Sequence, residues 1–320
     1  MNLHGVAITF NLLLFFSFLY GSVESLRSEE EHDRSYHDLF EREKRFNIFK
    51  SNILFIDENN HLENNHSFTL GLNHFADLSN EEYRSLYVHS PLNMSDLLST
   101  DEIVEPPPKS QLRQQDSWDW RDHGVVKSCW AFTAVATIES INAHVTGDLI
   151  TLSEQELVDC DMFNGHCKLG YISNAYEYII KNGGIDTDIN YPYQERKGVC
   201  KIDRDQVVTI DGHGRCPKNQ ESALKHFVRR QPIATGIDAS SAKFQLYKIG
   251  VFDGFCTTQV NHAVTIVGYG VEQGYAKLRR NILDPRGKCG IASWTFYPKK
   301  VHTPKSNKSL FIEEANTLNE

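Results

Sequence analysis

Lys127-Ser128-Cys129-Trp130-Ala131-Phe132 sets a cysteine at the mouth of a long helical pattern, with a tryptophan directly after it. About 130 residues downstream, Asn261-His262-Ala263-Val264 opens an apolar, strand-like run that ends in Gly268-Tyr269-Gly270. A thiol at a helix start and a distant histidine on a strand make the arrangement of a cysteine nucleophile with its base. The thiol must become a thiolate before it attacks a carbonyl, and a helix dipole and an imidazolium both favour the anion.

Outward from Cys129 the pattern divides in two. A helix is expected from residue 129 to about 145, ending near Gly147. Ser153 reads as the N-cap of a second helix, with Glu156 at the capping-box position. A third runs through 175–180 and stops at Asn182-Gly183-Gly184. Beyond Tyr191-Pro192-Tyr193, residues 207–210, 233–237, 263–267 and 275–278 read as strands, with one helix over 221–229. The pattern is α+β with two lobes, which places Cys129 and His262 on different lobes and the site in a cleft.

Upstream, residues 6–20 form an apolar run too short for the roughly 20 residues of a comfortable membrane span. Small residues follow, with cleavage expected after Gly21 or at Val23-Glu24-Ser25, so the run reads as a signal peptide, with a signal anchor as the alternative. Secretion makes the seven cysteines disulfide candidates, and an odd count leaves at least one free thiol, for which Cys129 is the best candidate. Glycosylation acceptors stand at Asn65, Asn93 and Asn307. The charge of −9, from 33 basic and 42 acidic residues with no basic block, argues against nucleic acid. A Cys/His metal site from His166, Cys167 and His213 has no zinc spacing.

Residues 28–60 carry a helical pattern in which Glu41, Arg45, Phe49, Asn52, Ile56 and Asn60 interleave polar and apolar positions. Residues 70–78 alternate like a short strand, and Ser79-Asn80-Glu81-Glu82 reads as a helix start. From 96 to 115 the chain is polar and includes Pro106-Pro107-Pro108, an exposed linker suited to nicking.

With these motifs together, the chain resembles a papain-like cysteine protease precursor, most closely of the plant type. The resemblance rests on the spaced series Glu41 to Asn60, on Gly71, Asn73, Phe75 and Asp77, and on Ser128-Cys129-Trp130-Ala131-Phe132. It rests also on Ser153 through Cys160, Asn261-His262-Ala263-Val264 and Lys288-Cys289-Gly290-Ile291. It implies an α+β papain-like fold: a helical lobe and an antiparallel, barrel-like β lobe, preceded by a helical inhibitory propeptide. The implied division is a signal peptide over 1–25, a propeptide with linker over 26–113, a peptidase domain over 114–300 and a polar tail over 301–320.

The implied function is a cysteine endopeptidase zymogen, with Cys129 as nucleophile and His262 as base and later acid. Gly170 corresponds to a glycine whose backbone binds peptide, and Gly236, Asn261 and Trp294 surround the pocket for the residue two before the cut. Implied disulfides are Cys160–Cys200 and Cys256–Cys289, which leave Cys167 and Cys216 over beside Cys129. The resemblance implies polypeptide substrates, the chain's own propeptide as inhibitor and a monomer without cofactor or metal. It also implies the secretory pathway, ending in a vacuole or lysosome or outside the cell, with no nucleic-acid partner and no stable membrane span.

Two stretches of the family pattern are missing. Gly124-Val125-Val126 runs straight into Lys127-Ser128-Cys129, where the family carries an oxyanion-donating glutamine and a cysteine. Val271-Glu272-Gln273 leads directly to Gly274-Tyr275, where the family carries Asn-Ser-Trp-Gly, whose asparagine orients the histidine. Asn281 matches a later segment and is not that asparagine. The gaps point to a catalytically impaired homologue that binds or inhibits, or to an incorrect gene model of an active protease. Transcript reads across Val126–Lys127 and Val271–Tyr275 separate these.

Overall fold

The spaced polar residues of the N-terminal helix are what hold its own neighbourhood together. In the computed structural model, which describes residues 36, 38–61, 66–88, 118–119, 129–165, 167, 170–201, 205–270 and 277–301, helix α1 (Leu39–Asn60) starts at Asp38, whose carboxylate accepts from Phe40 N–H. Arg45 bonds Glu41 one turn back at 2.6 Å and Glu82 at 2.8 Å on α2 (Asn80–Tyr87). Asn52 donates to the carbonyls of Ala76 and Leu78, and Asn60 both donates to and accepts from the Leu70 backbone. Phe49 and Ile56 bury on the same helix. Helix α2 starts with a complete capping box between Ser79 and Glu82.

The strand expected over 70–78 forms only as β1 (Phe68–Leu70). Beyond Gly71 the side chain of Asn73 accepts from Phe75 N–H, and turns close from Ala76 N to Asn73 O and from Leu78 N to Phe75 O. Local Asx bonding wins there over the alternating pattern.

This helical frame belongs to the first of two units, drawn from Met1–Leu92, Asp238–Asn261 and Glu272–Ile282. Strand β1 pairs antiparallel with β5 (Tyr247–Phe252), which pairs parallel with β8 (Lys277–Leu278). Around the strands, Asn73 donates to Gln245 O, Gln245 donates to Phe75 O and Leu78 O, and the Tyr83 hydroxyl donates to Ala239 O. The N-terminal segment is thus fastened to a segment far along the chain by backbone pairing and buried amides.

The second unit, Asn93–Ile237, His262–Val271 and Leu283–Glu320, is built on α3 (Cys129–Thr146). Its first half buries Trp130, Ala131, Ala134, Val135 and Ile138 on several faces, which suits a central helix. Against it lie α4 (Glu154–Cys160) and α5 (Ile172–Asn182), then a four-stranded antiparallel sheet. The strand order is β3 (Gly212–Arg215), β9 (Thr295–Lys299), β4 (Ile233–Ile237), β6 (His262–Ile266). Helix α6 (Glu221–Val228) closes a core of Leu224, Phe227, Val228, Ile233 and Tyr297. A two-stranded pair joins β2 (Trp118–Asp119) to β7 (Gly268–Tyr269).

Helix α5 ends at Gly183 in the left-handed region (φ 78°), with Gly184 N–H donating to Ile179 O, as Asn182-Gly183-Gly184 predicts. At α4, Ser153 caps the Glu156 N–H, but the Glu156 carboxylate turns to Tyr178, Asn182 and the Asp186 N–H, so the box stays half made. The strand expected over 207–210 reduces to a single bridge between Val208 and Ile185. The strand expected over 275–278 is seen at Lys277–Leu278, its first half lying outside the described residues.

Cys160 and Cys200 form a disulfide across 40 residues of sequence. Cys256 and Cys289 are disulfide-bonded, and Cys129, Cys167 and Cys216 are free. The 1–25, 96–115 and 302–320 segments and the glycosylation acceptors Asn65, Asn93 and Asn307 lie outside the described residues, and no described helix is long and apolar enough to cross a membrane.

Candidate active site

Cys129 is the first residue of α3, so its thiol stands where unpaired N–H groups and the positive end of the helix converge. It is half-buried. The backbone N–H groups of Ala263, of Trp130 and of Cys129 itself lie near its sulfur and favour the anion. Ala263 is the residue after His262, and His262 is the first residue of β6, opposite Ile237 on β4. Folding therefore brings the thiol to the very start of the strand that carries the imidazole.

Burial pushes the Cys129 thiol up, and the three N–H donors pull against it without overturning it. The raised value favours the thiol over the thiolate.

From Cys129 the sheet leads on strand by strand. Ala263 pairs with Gly236 on β4, and Gly236 N–H donates to Trp294 O at 3.1 Å, just before β9. Trp294 is fully buried, edge-on to Tyr171 and Phe296, and its indole N–H has no hydrogen-bond partner among the described residues. Gly170 lies flat against the next tryptophan, Trp130: a Cβ built there would overlap the indole. Thus Cys129, His262, Gly170, Gly236 and Trp294 all fall in the second unit around one helix start.

Asn261 does otherwise. Its side chain belongs to the first unit, where its carbonyl accepts from Ala239 N–H and its amide donates to Asp238. At 7% exposure both its polar ends are bonded internally, so the side chain ties Asp238 and Ala239 to its own strand entrance. Asp238 is a residue the motifs give no hint of. Burial raises its carboxyl, but donors from Ser240, Thr257 and Asn261 outweigh this and hold it at about 2. The signal that finds it is Asp238-Ala239-Ser240, a short polar residue followed two positions later by a serine N–H, the Asx pattern.

Asn281 is exposed with φ 57°. The junctions at Val126–Lys127 and Val271–Tyr275 lie outside the described residues, as does His166. Among the described residues no cluster of His, Cys, Asp and Glu is arranged to hold a metal ion.

A helix-borne thiol set against a strand that begins with histidine, in a chain with an N-terminal helical unit, defines a cysteine protease precursor by class. The pattern described as papain family cysteine protease matches residues 107–281, and that of the cathepsin propeptide inhibitor domain (I29) matches 29–83. The chain is 42% identical over 310 residues to the probable cysteine protease RDL2 of Arabidopsis thaliana, covering 86% of this chain and 84% of that protein. With the cysteine proteinase RD21A of the same plant it shares 44% over 297 residues, 83% of this chain but 63% of that longer protein. The structure of a recombinant stem bromelain precursor superposes with a TM-score of 0.77 at 35% identity, covering 88% of this chain and 99% of that one. The chain belongs to the papain family of cysteine proteases, and its fold is the papain-like fold with a propeptide.

Proposed function

We propose that this chain is the zymogen of a slow cysteine endopeptidase. The observation that supports the reading is Cys129 at the start of α3 with its sulfur near the backbone N–H of Ala263, the residue after His262 on β6, an approach that involves neither of the two missing segments. The Cys129 proton passes to His262, and the thiolate attacks a peptide carbonyl carbon. The tetrahedral oxyanion then collapses to a thioester, while the imidazolium gives its proton to the leaving amine. Water, deprotonated by His262, hydrolyses the thioester and frees the acid and the thiol. The oxyanion keeps the N–H groups at the start of α3 as donors. It loses the glutamine side chain, a loss of about 10²–10³ in rate.

Gly170 and Gly236 would offer backbone to a bound peptide and Trp294 would back the pocket from the core, with Asn261 acting as a support. Residues 26–113 serve as the inhibitory propeptide, released by cutting in the 106–115 stretch in an acidic vacuole or lysosome or outside the cell, after a signal peptide over 1–25 directs secretion. The mature domain, 114–300 with its tail 301–320, acts as a monomer.

An epoxide probe selective for activated thiols tests the reading in acid-treated, folded protein. Labelling confined to Cys129, absent in Cys129→Ala, supports it. Folded protein that stays unlabelled removes it in favour of a second reading, an inhibitory homologue. That reading is favoured by the completeness of the α1–α2 frame and by the pairing of β1 with β5. It predicts that residues 26–110 alone inhibit an active relative.

A further inference from the structure

His213 takes no part in the chemistry above. It sits within β3, the edge strand of the four-stranded sheet, opposite Pro298 of β9, with its side chain only 6% exposed. Its Nε2 is 2.9 Å from Glu177 Oε1 on α5. Its ring lies 5.6 Å from that of the fully buried Tyr176, whose hydroxyl is 2.6 Å from Thr137 Oγ1 on α3. One buried imidazole therefore joins the sheet edge to the helix layer that carries Cys129.

We propose that the His213–Glu177 pair is a pH-sensitive latch, which fastens α5, and through it α3, to the sheet edge in mildly acidic surroundings and slackens as the imidazole loses its proton.

Protonating the imidazole adds a charge–charge attraction to a hydrogen bond that the carboxylate already strengthens, and an ordinary imidazole changes charge near pH ~6.5. The partner stays charged through that range. His213 above all, then Lys181 at 3.3 Å from Glu177 Oε2, hold the Glu177 carboxyl below its ordinary value of 4.5 against the opposing effect of burial. A depressed carboxylate contributes stability above its unfolded value and loses it as pH falls through its folded one. An imidazolium partner contributes below its pKa and loses its contribution as pH rises. The latch is tightest in the band between the two.

The other titratable groups at this junction do not reverse the sign. Lys181 on α5, Arg215 two residues along β3 and Lys299 on β9 are the charged neighbours, and they are common to the three proteins compared below. Burial pushes the Tyr176 phenol far up and the Cys216 thiol to about 12, so both stay neutral.

The latch needs no catalysis, so it is tested on the full, uncleaved chain. Thermal melts and hydrogen exchange of α5 and β3 amides compare the wild type with His213→Gln and Glu177→Gln at about pH 5.5 and about pH 7.5. Both variants are expected to lower the midpoint by roughly 2–4 °C more at the lower pH, with faster exchange in both elements. Glu177 is half-exposed, so its variant decides the matter if His213→Gln does not fold. Buried carboxylates elsewhere titrate in the same range, but they are common to all three proteins and cancel in the comparison. Equal shifts at both pH values, or larger ones at the higher pH, overturn the proposal.

Discussion

Raising the pH from about 5 to about 8.5 should destabilise the second unit, and two buried glutamates set the size of the effect. Glu139 lies in the middle of α3 at 9% exposure, with Oε1 accepting from Leu152 N–H at 2.8 Å. Glu154 is the first residue of α4 at 5% exposure. Burial raises Glu139 to about 7, the Leu152 N–H opposing and Asp188 adding. Burial raises Glu154 to about 8, its own N–H opposing, with Glu139 and Asp188 adding their like charge.

The unfolded chain releases both protons near its ordinary carboxylate values, while the folded chain holds them until pH passes 7 and 8. The folded state binds more protons over that window, so stability falls with rising pH and levels off above it. At about 1.4 kcal/mol per pKa unit, the two shifts are worth about 3 and about 5 kcal/mol taken singly. Part of the second is the first, because the Glu154 shift includes repulsion from Glu139, so their joint effect is on the order of 5 kcal/mol. That corresponds to a fall in melting midpoint on the order of 10 °C.

Scanning calorimetry across the range, on wild type and on Glu139→Gln/Glu154→Gln, reads it directly. Glutamine mimics the protonated form and keeps an acceptor for Leu152, so the double variant should retain little of the slope beyond the share of His213. A midpoint that rises from pH 5 to 8, or an equal slope in the double variant, would refute the assignment of the protons.

Asp238 has the opposite sign. Its carboxyl, at about 2 against an ordinary 3.8, contributes about 2 kcal/mol above pH 4 and loses it as pH falls towards 2. Asp238→Asn should therefore lower the midpoint at about pH 5 and flatten the acid limb of the melting profile, which circular dichroism between about pH 2.5 and about pH 5 would detect. At Gly170 an alanine methyl has nowhere to go but into the Trp130 indole. Gly170→Ala is expected to cost about 1–3 kcal/mol and to shift tryptophan fluorescence, and an unchanged spectrum and midpoint would count against the close approach. Replacing Cys160 and Cys200 by serine opens a link across 40 residues, for an expected loss of about 4 kcal/mol in denaturant titration. A loss well under 1 kcal/mol would mean that the unfolded chain is already restricted there.

What the sequence made legible is what local rules decide. Ser79 and Glu82, Asn182-Gly183-Gly184, and Cys129 at a helix start are read from a few neighbouring residues, and the structure has them so. Strand β5 is hard to read because Tyr247-Lys248-Ile249-Gly250 alternates weakly, and its antiparallel partner β1 comes from far upstream in the chain. Strand β9 escaped because Pro298 argues against a strand, yet at Pro298 it is followed only by the edge strand β3.

Energetic signs are harder still, because they are set by distant atoms. In Ser153-Glu154-Gln155-Glu156 an acid in the first turn reads as favoured by the helix dipole, which lowers a carboxylate pKa. The N–H effect is present, but burial and the neighbouring Glu139 and Asp188 outweigh it, and the shift is upward. The same contest decides Cys129, where the helix start is real and burial still pushes the thiol up. In both cases the motif gives the direction of one force. Only the packing around it, contributed by residues far along the chain, determines which force prevails.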